Sequence, residues 1–188
     1  SVEPPHSEDQ KPTPANLYTA SKMGREKYAE AYSYNNEIET TGLRFFSVFG
    51  PHEKAKGKFA NVVTQFLWKM MDDEQPVIWG DGSQERDFVY VEDVVDASIK
   101  ASKRKQSLDG EVFNIGRCNP VTFNQVVEKL NDALGKDIEA EHVENPREKY
   151  VRQHRAENSK ARDLLGWEPE HSFEEGLEKT VEYYRRNL

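Results

Sequence analysis

Short apolar runs that alternate with longer helical patterns constrain the fold of this chain more than any other sequence feature. The run from Gly42 to Gly50 holds five apolar residues and is too short for a helix, so it predicts a buried strand. The same reasoning predicts strands at 76–79, 87–91 and 112–115, and helices at 17–36, 59–70 and 94–101. Strands that alternate with helices indicate an α/β chain.

Two four-residue patterns mark where further helices begin. In Thr122-Phe123-Asn124-Gln125 and in Ser172-Phe173-Glu174-Glu175, the first hydroxyl can accept a backbone N–H bond while the fourth side chain reaches back. Gly135 is placed to end the helix that the first pattern opens. A short helix is also predicted at 159–166.

The charge and composition exclude several classes of function. The chain has 188 residues, enough for one domain or one lobe of a larger enzyme, and its net charge is −8. An acidic surface repels phosphate backbones, so we expect no nucleic-acid partner. No apolar run approaches the ~20 residues that span a bilayer, and the histidines lack metal-ligand spacing, so we expect neither a membrane segment nor a metal. The single Cys118 fits a reducing compartment, which predicts a cytoplasmic protein.

Tyr18 and Lys22 form the first candidate for chemistry. Residues four apart on a helix lie on the same face, so the Lys22 ammonium would lie near the Tyr18 phenol. An adjacent ammonium stabilises a phenolate, which makes Tyr18 a candidate general base and Lys22 the residue that tunes it. Taken alone, the same spacing describes an ordinary surface pair on an amphipathic helix, and both interpretations stay open.

Four sequence blocks, which together span most of the chain, give this pair a context. They are the Tyr-x-x-x-Lys of 18–22, the Leu-Arg-Phe-Phe-Ser-Val-Phe-Gly-Pro of 43–51, the Gly-Asp-Gly of 80–82 followed by Arg-Asp-Phe-Val-Tyr-Val-Glu-Asp at 86–93, and the Leu-Leu-Gly-Trp-Glu-Pro of 164–169. In type and order they resemble the NAD-dependent nucleotide-sugar epimerases and dehydratases of the extended short-chain dehydrogenase/reductase superfamily. The likeness is greatest to the UDP-sugar 4-epimerases.

The resemblance implies an activity and a role for the first pair. It implies reversible inversion at carbon 4 of a UDP-hexose through a 4-keto intermediate, with NAD as a tightly held cofactor. In that scheme Tyr18 takes the proton of the sugar 4-hydroxyl, and Lys22 also hydrogen-bonds the nicotinamide ribose. The resemblance also implies an incomplete Rossmann-like sheet in residues 1–58 and a small α/β substrate-binding lobe in residues 59–188.

The family's cofactor-binding half is not recognisable in this sequence. Such enzymes place a glycine-rich turn and a helix N-terminus against the dinucleotide pyrophosphate. The nearest candidate, Gly80-Asp81-Gly82, has Glu85 at the third glycine position and is followed by a predicted strand. Ser1-Val2 resembles the end of the segment that carries the family's catalytic Ser or Thr, without the Tyr-Gly that should follow. We therefore expect this chain alone neither to bind NAD nor to catalyse a reaction.

Four positions match family contacts to the substrate. Ser47 replaces an Asn that contacts the substrate phosphates, and Arg86 matches the phosphate-binding arginine, whose fork suits a diphosphate. Trp79 matches an aromatic residue that lies against uracil, and Asn61 matches the start of a substrate-contacting helix only loosely. Two plainer interpretations stay open: Arg86 could pair with Glu85 or Asp87, and Trp79 could be a core aromatic.

A fifth match lies further along the chain. Arg147 resembles the arginine of an Arg-x-x-Asp motif that holds phosphate and ribose, but Tyr150 occupies the Asp position, which leaves sugar and base specificity open. The nearby Arg152, His154 and Arg155 are interpreted as a solvated loop.

Alternative functions and an assembly follow from the same resemblance. The chain could be a non-catalytic module that binds a nucleotide sugar or a partner, or it could derive from a 4,6-dehydratase or decarboxylase. In the family, the Tyr-x-x-x-Lys helix packs into a two-fold helical bundle. Without a covering half, Phe45, Phe46 and Phe49 would lie uncovered, so we expect a homodimer or higher self-association.

Overall fold

The chain forms five α-helices and eight short strands in the part that the structure describes. The computed structural model describes residues 3–11, 13–14, 16–36, 38–104, 107–108, 110–146 and 150–187. The helices are α1 (Leu17–Asn36), α2 (Val62–Met71), α3 (Val91–Lys103), α4 (Phe123–Leu134) and α5 (Phe173–Asn187). The strands are β1 (Gly42–Phe45), β2 (Ser47–Phe49), β3 (Val77–Trp79), β4 (Glu85–Arg86), β5 (Phe88–Tyr90), β6 (Val112–Ile115), β7 (Val121–Thr122) and β8 (Glu141–Val143). A 3₁₀ helix covers Lys54–Phe59 and a π-helical turn covers Ala161–Leu165.

The strands pair two by two. Three pairs are parallel, namely β1 with β6, β2 with β5, and β3 with β8, whereas β4 and β7 are antiparallel. Parallel pairs require long crossovers, which the helices between them supply. The mixed α/β class and the Rossmann-like parallel arrangement agree with the sequence prediction.

Strand β5 separates two hydrophobic cores. Its successive side chains point to opposite faces, so Phe88 and Tyr90 join one core while Val89 joins the other. The first core contains the buried faces of α2, α4 and α5, and the second contains α3, β6 and the buried Trp167. A strand buried on both faces is typical of a parallel sheet in an α/β protein, and all three residues of β5 are buried.

The predicted helix starts are confirmed. Thr122 Oγ1 accepts the Gln125 N–H at 3.1 Å, and the Gln125 side chain accepts the Thr122 N–H at 2.9 Å. Ser172 and Glu175 make the equivalent pair of bonds at the start of α5. Gly135 ends α4 with a φ of 69°, a left-handed conformation that glycine adopts without strain.

The prediction of one buried strand from Gly42 to Gly50 is wrong in two respects. The segment divides into β1 and β2, because the chain changes hydrogen-bonding partner between them. Phe45 is 50% exposed at the end of β1. Phe49, which we expected to lie uncovered, is buried against the rings of Phe88 and Phe173.

Other element boundaries also differ from the predictions. Phe59 belongs to the 3₁₀ helix and is exposed, since α2 begins only at Val62. The short helix predicted at 159–166 is a π-helical turn. Strands β4, β7 and β8 are not predicted from the sequence, because each has only two or three residues and contains no apolar run.

Strands from both sides of residue 58 pair with each other. Strands β1 and β2 precede that boundary, and their partners β6 and β5 follow it. The division into 1–58 and 59–188 stays a prediction that allows for chain exchange between the lobes. Over the described ranges, no helix combines the length and the apolar character that crossing a membrane requires.

Candidate functional site

Tyr18 and Lys22 lie side by side on the first turns of α1. Asn16 starts the helix, because its side-chain oxygen accepts the Thr19 N–H at 2.9 Å. The Lys22 ammonium lies 5.1 Å from the centroid of the Tyr18 ring, as helical spacing predicts, and Tyr18 is 69% exposed. Both side chains are therefore open to a ligand from outside the chain. No hydrogen bond or ion pair among the described residues joins either side chain to Ser47 or Arg86.

Ser47 lies where the chain changes from one strand pair to another. The Phe46 N–H donates to the carbonyl of Ile115 at 3.0 Å, and the Ser47 N–H donates to the carbonyl of Asp87 at 2.9 Å. Ser47 thus begins β2 beside the chain that carries Arg86 and Asp87. The Phe46 ring stacks on His154 with centroids 4.6 Å apart.

Arg86 is a half-buried cation held mainly by aromatic rings. Its guanidinium carbon lies 5.1 Å from the centroid of Tyr150 and 5.6 Å from that of Phe123. Its Nη1 donates to the carbonyl of Glu85 at 2.7 Å. No carboxylate among the described residues makes an ion pair with it, so the proposed pairing with Glu85 or Asp87 is not what the structure contains. Burial lowers the pKa of the Arg86 guanidinium, yet an arginine stays protonated at neutral pH.

The carboxylate of Asp87 has a structural role that sequence reasoning missed. It accepts backbone N–H bonds from Arg117 (2.8 Å), Cys118 (2.9 Å) and Ala156 (2.8 Å). Burial raises the pKa of Asp87, and these three bonds oppose that rise. Gly116 allows the close approach, because a Cβ there would lie 2.7 Å from the Ala156 Cβ and 3.0 Å from the Asp87 carboxylate. Three segments of the chain therefore meet beside Arg86.

Trp79 and Asn61 lie at the ends of two different elements, and their side chains have different surroundings. Trp79 ends β3 with 37% of its surface exposed, and its carbonyl accepts the Gln84 amide at 3.0 Å. Asn61 begins α2: its side-chain oxygen accepts the Val63 N–H at 3.0 Å and its amide donates to the carbonyl of Val48 at 2.8 Å. Asn61 thus fastens a helix to β2, while Trp79 presents part of an aromatic surface.

The segment around Tyr150 differs from the predicted solvated loop at His154. Arg147 lies outside the described residues, so its predicted phosphate contact stays a prediction. Interpreting His154 as part of a solvated loop is wrong, since its ring stacks on Phe46 and lies near His6. Burial, helped by the nearby His6 and Arg86, lowers the pKa of His154 to about 4. Only the long-range contact with Phe46 reveals this, and the sequence carries no signal for it.

Thiol and metal chemistry find no support in the described ranges. Burial, together with the Asp87 carboxylate, raises the pKa of the Cys118 thiol to about 11, so the nucleophilic thiolate is scarce at neutral pH. No group of three or more His, Cys, Asp or Glu side chains among the described residues could hold a metal ion.

These features define an α/β chain with a half-buried arginine at one place and an exposed Tyr–Lys pair at another. The family model for the NAD dependent epimerase/dehydratase family matches residues 1–116. The chain belongs to that family.

Individual relatives and solved structures agree with the family match. A UDP-glucuronate 4-epimerase from Thermodesulfobacterium geofontis is 36% identical, over 98% of this chain and 55% of its own length. The structure of a UDP-glucose 4-epimerase from Thermotoga maritima, with UDP-glucose, has a TM-score of 0.83 at 40% identity, over 91% of this chain and 54% of that one. A UDP-glucuronic acid 4-epimerase from Bacillus cereus, in complex with UDP-glucuronic acid and NAD, gives 0.88 at 28% identity, over 100% and 58%. The chain thus spans about half the length of the relatives it matches.

Proposed function

We propose that this chain is the substrate-binding part of an NAD-dependent UDP-sugar 4-epimerase, and that Arg86 binds the diphosphate of the substrate. The proposal rests on the burial of Arg86 and on the partners of its guanidinium. Among the described residues, this half-buried guanidinium makes no ion pair with a carboxylate and hydrogen-bonds only the Glu85 carbonyl, so it has donors left for a ligand. Because a guanidinium fork matches phosphate oxygens, a diphosphate is the ligand that this cation suits best.

The other candidate residues divide between the two ends of such a ligand. Ser47 has a hydroxyl beside the Arg86 segment and can donate to phosphate, while the exposed part of the Trp79 ring can lie against uracil. Arg147 is proposed as a second phosphate contact. At the sugar end, Tyr18 as the phenolate takes the proton of the 4-hydroxyl, and the adjacent Lys22 ammonium stabilises that phenolate before the transfer.

The chain's fit to NAD is confined to the nicotinamide end. The chemistry that NAD supplies when bound is that it accepts a hydride from carbon 4 of the sugar and returns it. The exposed Tyr18 and Lys22 suit the nicotinamide ribose, but the sequence has no glycine-rich turn for the pyrophosphate. A charged hydrogen bond from Lys22 contributes about 1.5–3 kcal/mol, less than the minimum of about 4 kcal/mol that association costs. We therefore propose that the chain alone neither holds NAD nor turns over substrate.

Two further attributes belong to the same proposal. A 4,6-dehydratase is the second candidate function, because the family description covers dehydratases as well as epimerases. A cytoplasmic location and a homodimer remain predictions from the sequence.

The test is calorimetric titration of the 188-residue chain with UDP-glucose and then with NAD, with an assay for UDP-galactose. We expect UDP-glucose binding, no NAD binding and no product. Arg86→Ala should weaken UDP-glucose binding by about 1.5–3 kcal/mol, since a charge-assisted hydrogen bond is lost. The matched control is Arg162→Ala, an exposed arginine on the π-helical turn, which should bind as the wild type does.

Four outcomes would contradict the proposal. Unchanged affinity in Arg86→Ala removes Arg86 from the site, and no UDP-glucose binding removes the substrate-binding role. Stoichiometric NAD binding would show that the chain alone holds the cofactor, and turnover that Tyr18→Phe abolishes would show that it is active alone.

A further inference from the structure

The surroundings of Arg86 contain a second feature, which the proposed role of Arg86 does not explain. The rings of Tyr150 and Phe123 both lie within 6 Å of the guanidinium carbon, the range in which a cation is attracted to a ring face. Phe123 is held rigidly, as the first residue of α4 behind the Thr122–Gln125 capping box. Tyr150 comes from a different segment, so the two rings restrain the cation from separate parts of the chain.

An aromatic ring restrains a cation without neutralising its charge, whereas a carboxylate that restrains the cation also neutralises it. An Asp side chain near a guanidinium forms a charged pair that competes with any anionic ligand. The motif that this segment resembles has Asp at the position of Tyr150. With Tyr150 there, Arg86 keeps its full charge, and the described residues leave most of its five N–H donors unused, although burial has removed part of its water shell. Such a cation gains most from an anion that replaces the lost water.

We propose that Tyr150 is a positioning residue for the diphosphate of the ligand: with Phe123, it holds the Arg86 guanidinium in a fixed direction while leaving its charge uncompensated. This inference rests on the proposed function, since it requires Arg86 to bind the diphosphate. It adds a residue that acts only through Arg86, and it assigns the selectivity of this place to the diphosphate rather than to the base or the sugar.

The test compares variants at position 150 by titration with UDP and with inorganic pyrophosphate. Tyr150→Phe keeps the ring and should bind both within about twofold of the wild type, whereas Tyr150→Leu should weaken both by about three- to thirtyfold, the range of a partly buried cation–π contact. Tyr150→Asp should weaken both by at least about tenfold, because its carboxylate competes for the guanidinium. Thermal unfolding of each variant shows whether it folds as the wild type does.

A double variant separates positioning from other roles. If Tyr150 acts through Arg86, then Tyr150→Leu in an Arg86→Ala background should cause no further loss of affinity, because contacting residues are not additive. Loss of UDP affinity without loss of pyrophosphate affinity would mean that Tyr150 contacts the base or sugar, and it would overturn the inference. An additive double variant, or a Tyr150→Leu chain that binds as the wild type does, would also overturn it while Arg86 keeps its proposed role. If Arg86→Ala binds UDP normally, or the wild-type chain binds no UDP, both proposals fail together.

Discussion

Arg86 and Asp87 are neighbours with opposite charges, yet they do not pair with each other. The Asp87 carboxylate accepts three backbone N–H bonds and so holds three segments of the chain together. The Arg86 guanidinium instead lies against the rings of Tyr150 and Phe123. Successive residues of an extended chain point to opposite sides, which is why the two charges separate. The Arg-Asp dipeptide thus combines one structural and one candidate binding residue.

His154 lies near Arg86 and His6, and it makes the stability of the chain depend on pH. Its pKa is about 4 in the folded chain against 6.5 as the ordinary value, so the unfolded chain binds a proton first as pH falls. The contribution of neutral His154 to the free energy of unfolding is complete above pH 6.5. It is lost as pH falls toward 4 and changes no further below that pH. A shift of this size corresponds to at most about 3.4 kcal/mol of unfolding free energy.

The prediction is that His154→Phe reduces this loss of stability. Chemical unfolding at several pH values between 7 and 4 should give a smaller decrease for the variant than for the wild type, since Phe keeps a ring against Phe46 but cannot be protonated. The matched control is Gln153→Phe, the same substitution at the exposed neighbouring position, whose curve should run parallel to that of the wild type. Parallel curves for His154→Phe and the wild type would show that His154 is not the group responsible.

Among the secondary-structure elements, local signals were predictable and distant ones were not. The capping boxes at Thr122 and Ser172 lie within four residues of sequence, and the structure contains both. The division of the 42–50 segment depends on β6 and β5, which lie far along the chain, so no local period could predict it. The site follows the same rule: motif resemblance identified Arg86, but its contact with Tyr150 exists only in the folded chain.

The start of α4 links helix stability to the candidate site. Removing the Thr122 hydroxyl leaves the Gln125 N–H without its cap, so Thr122→Ala should lower the free energy of unfolding by about 0.5–2 kcal/mol. The control is Thr122→Ser, which keeps the hydroxyl and should lose less, as equilibrium unfolding would measure. Because Phe123 follows the cap and its ring centroid lies 5.6 Å from the Arg86 guanidinium carbon, we also expect Thr122→Ala to weaken UDP binding. Equal stability of the Ala and Ser variants would mean that the cap contributes little to the stability of α4.

For the whole molecule, the charge distribution decides how an anionic ligand can be bound. With a net charge of −8, the chain repels a diphosphate at long range, so attraction must come from a local cation. A half-buried Arg86 provides this, because salt screens a partly buried charge less than an exposed one. The location of the cation therefore matters more here than the total number of basic residues.

Helix α1 is the most exposed large element of the described chain. Of the 20 residues of α1, only Ser33 is buried. The ion pair of Glu26 with Arg44 of β1, and the hydrogen bond from Thr40 to the Ala29 carbonyl, attach one side of the helix to the chain around β1. Tyr28 is 80% exposed, and Tyr32, four residues later on the same face, is also exposed. Gly24 lies one turn before Tyr28 on that face, and a Cβ there would meet no atom within 4 Å. Such a face, with aromatic residues next to an open glycine, suits close packing against a second helix.

We predict that two copies of this chain associate through α1. Sedimentation at micromolar concentration should give a dimer or larger species, and the double substitution Tyr28→Glu with Tyr32→Glu should return the chain to monomer, because an isologous contact would place like charges opposite each other. The matched control is Phe59→Glu, which puts the same charge on an exposed aromatic residue outside α1 and should leave the assembly intact. A wild-type chain that sediments only as monomer, or an assembly that Phe59→Glu disrupts while the α1 double variant does not, would contradict this prediction.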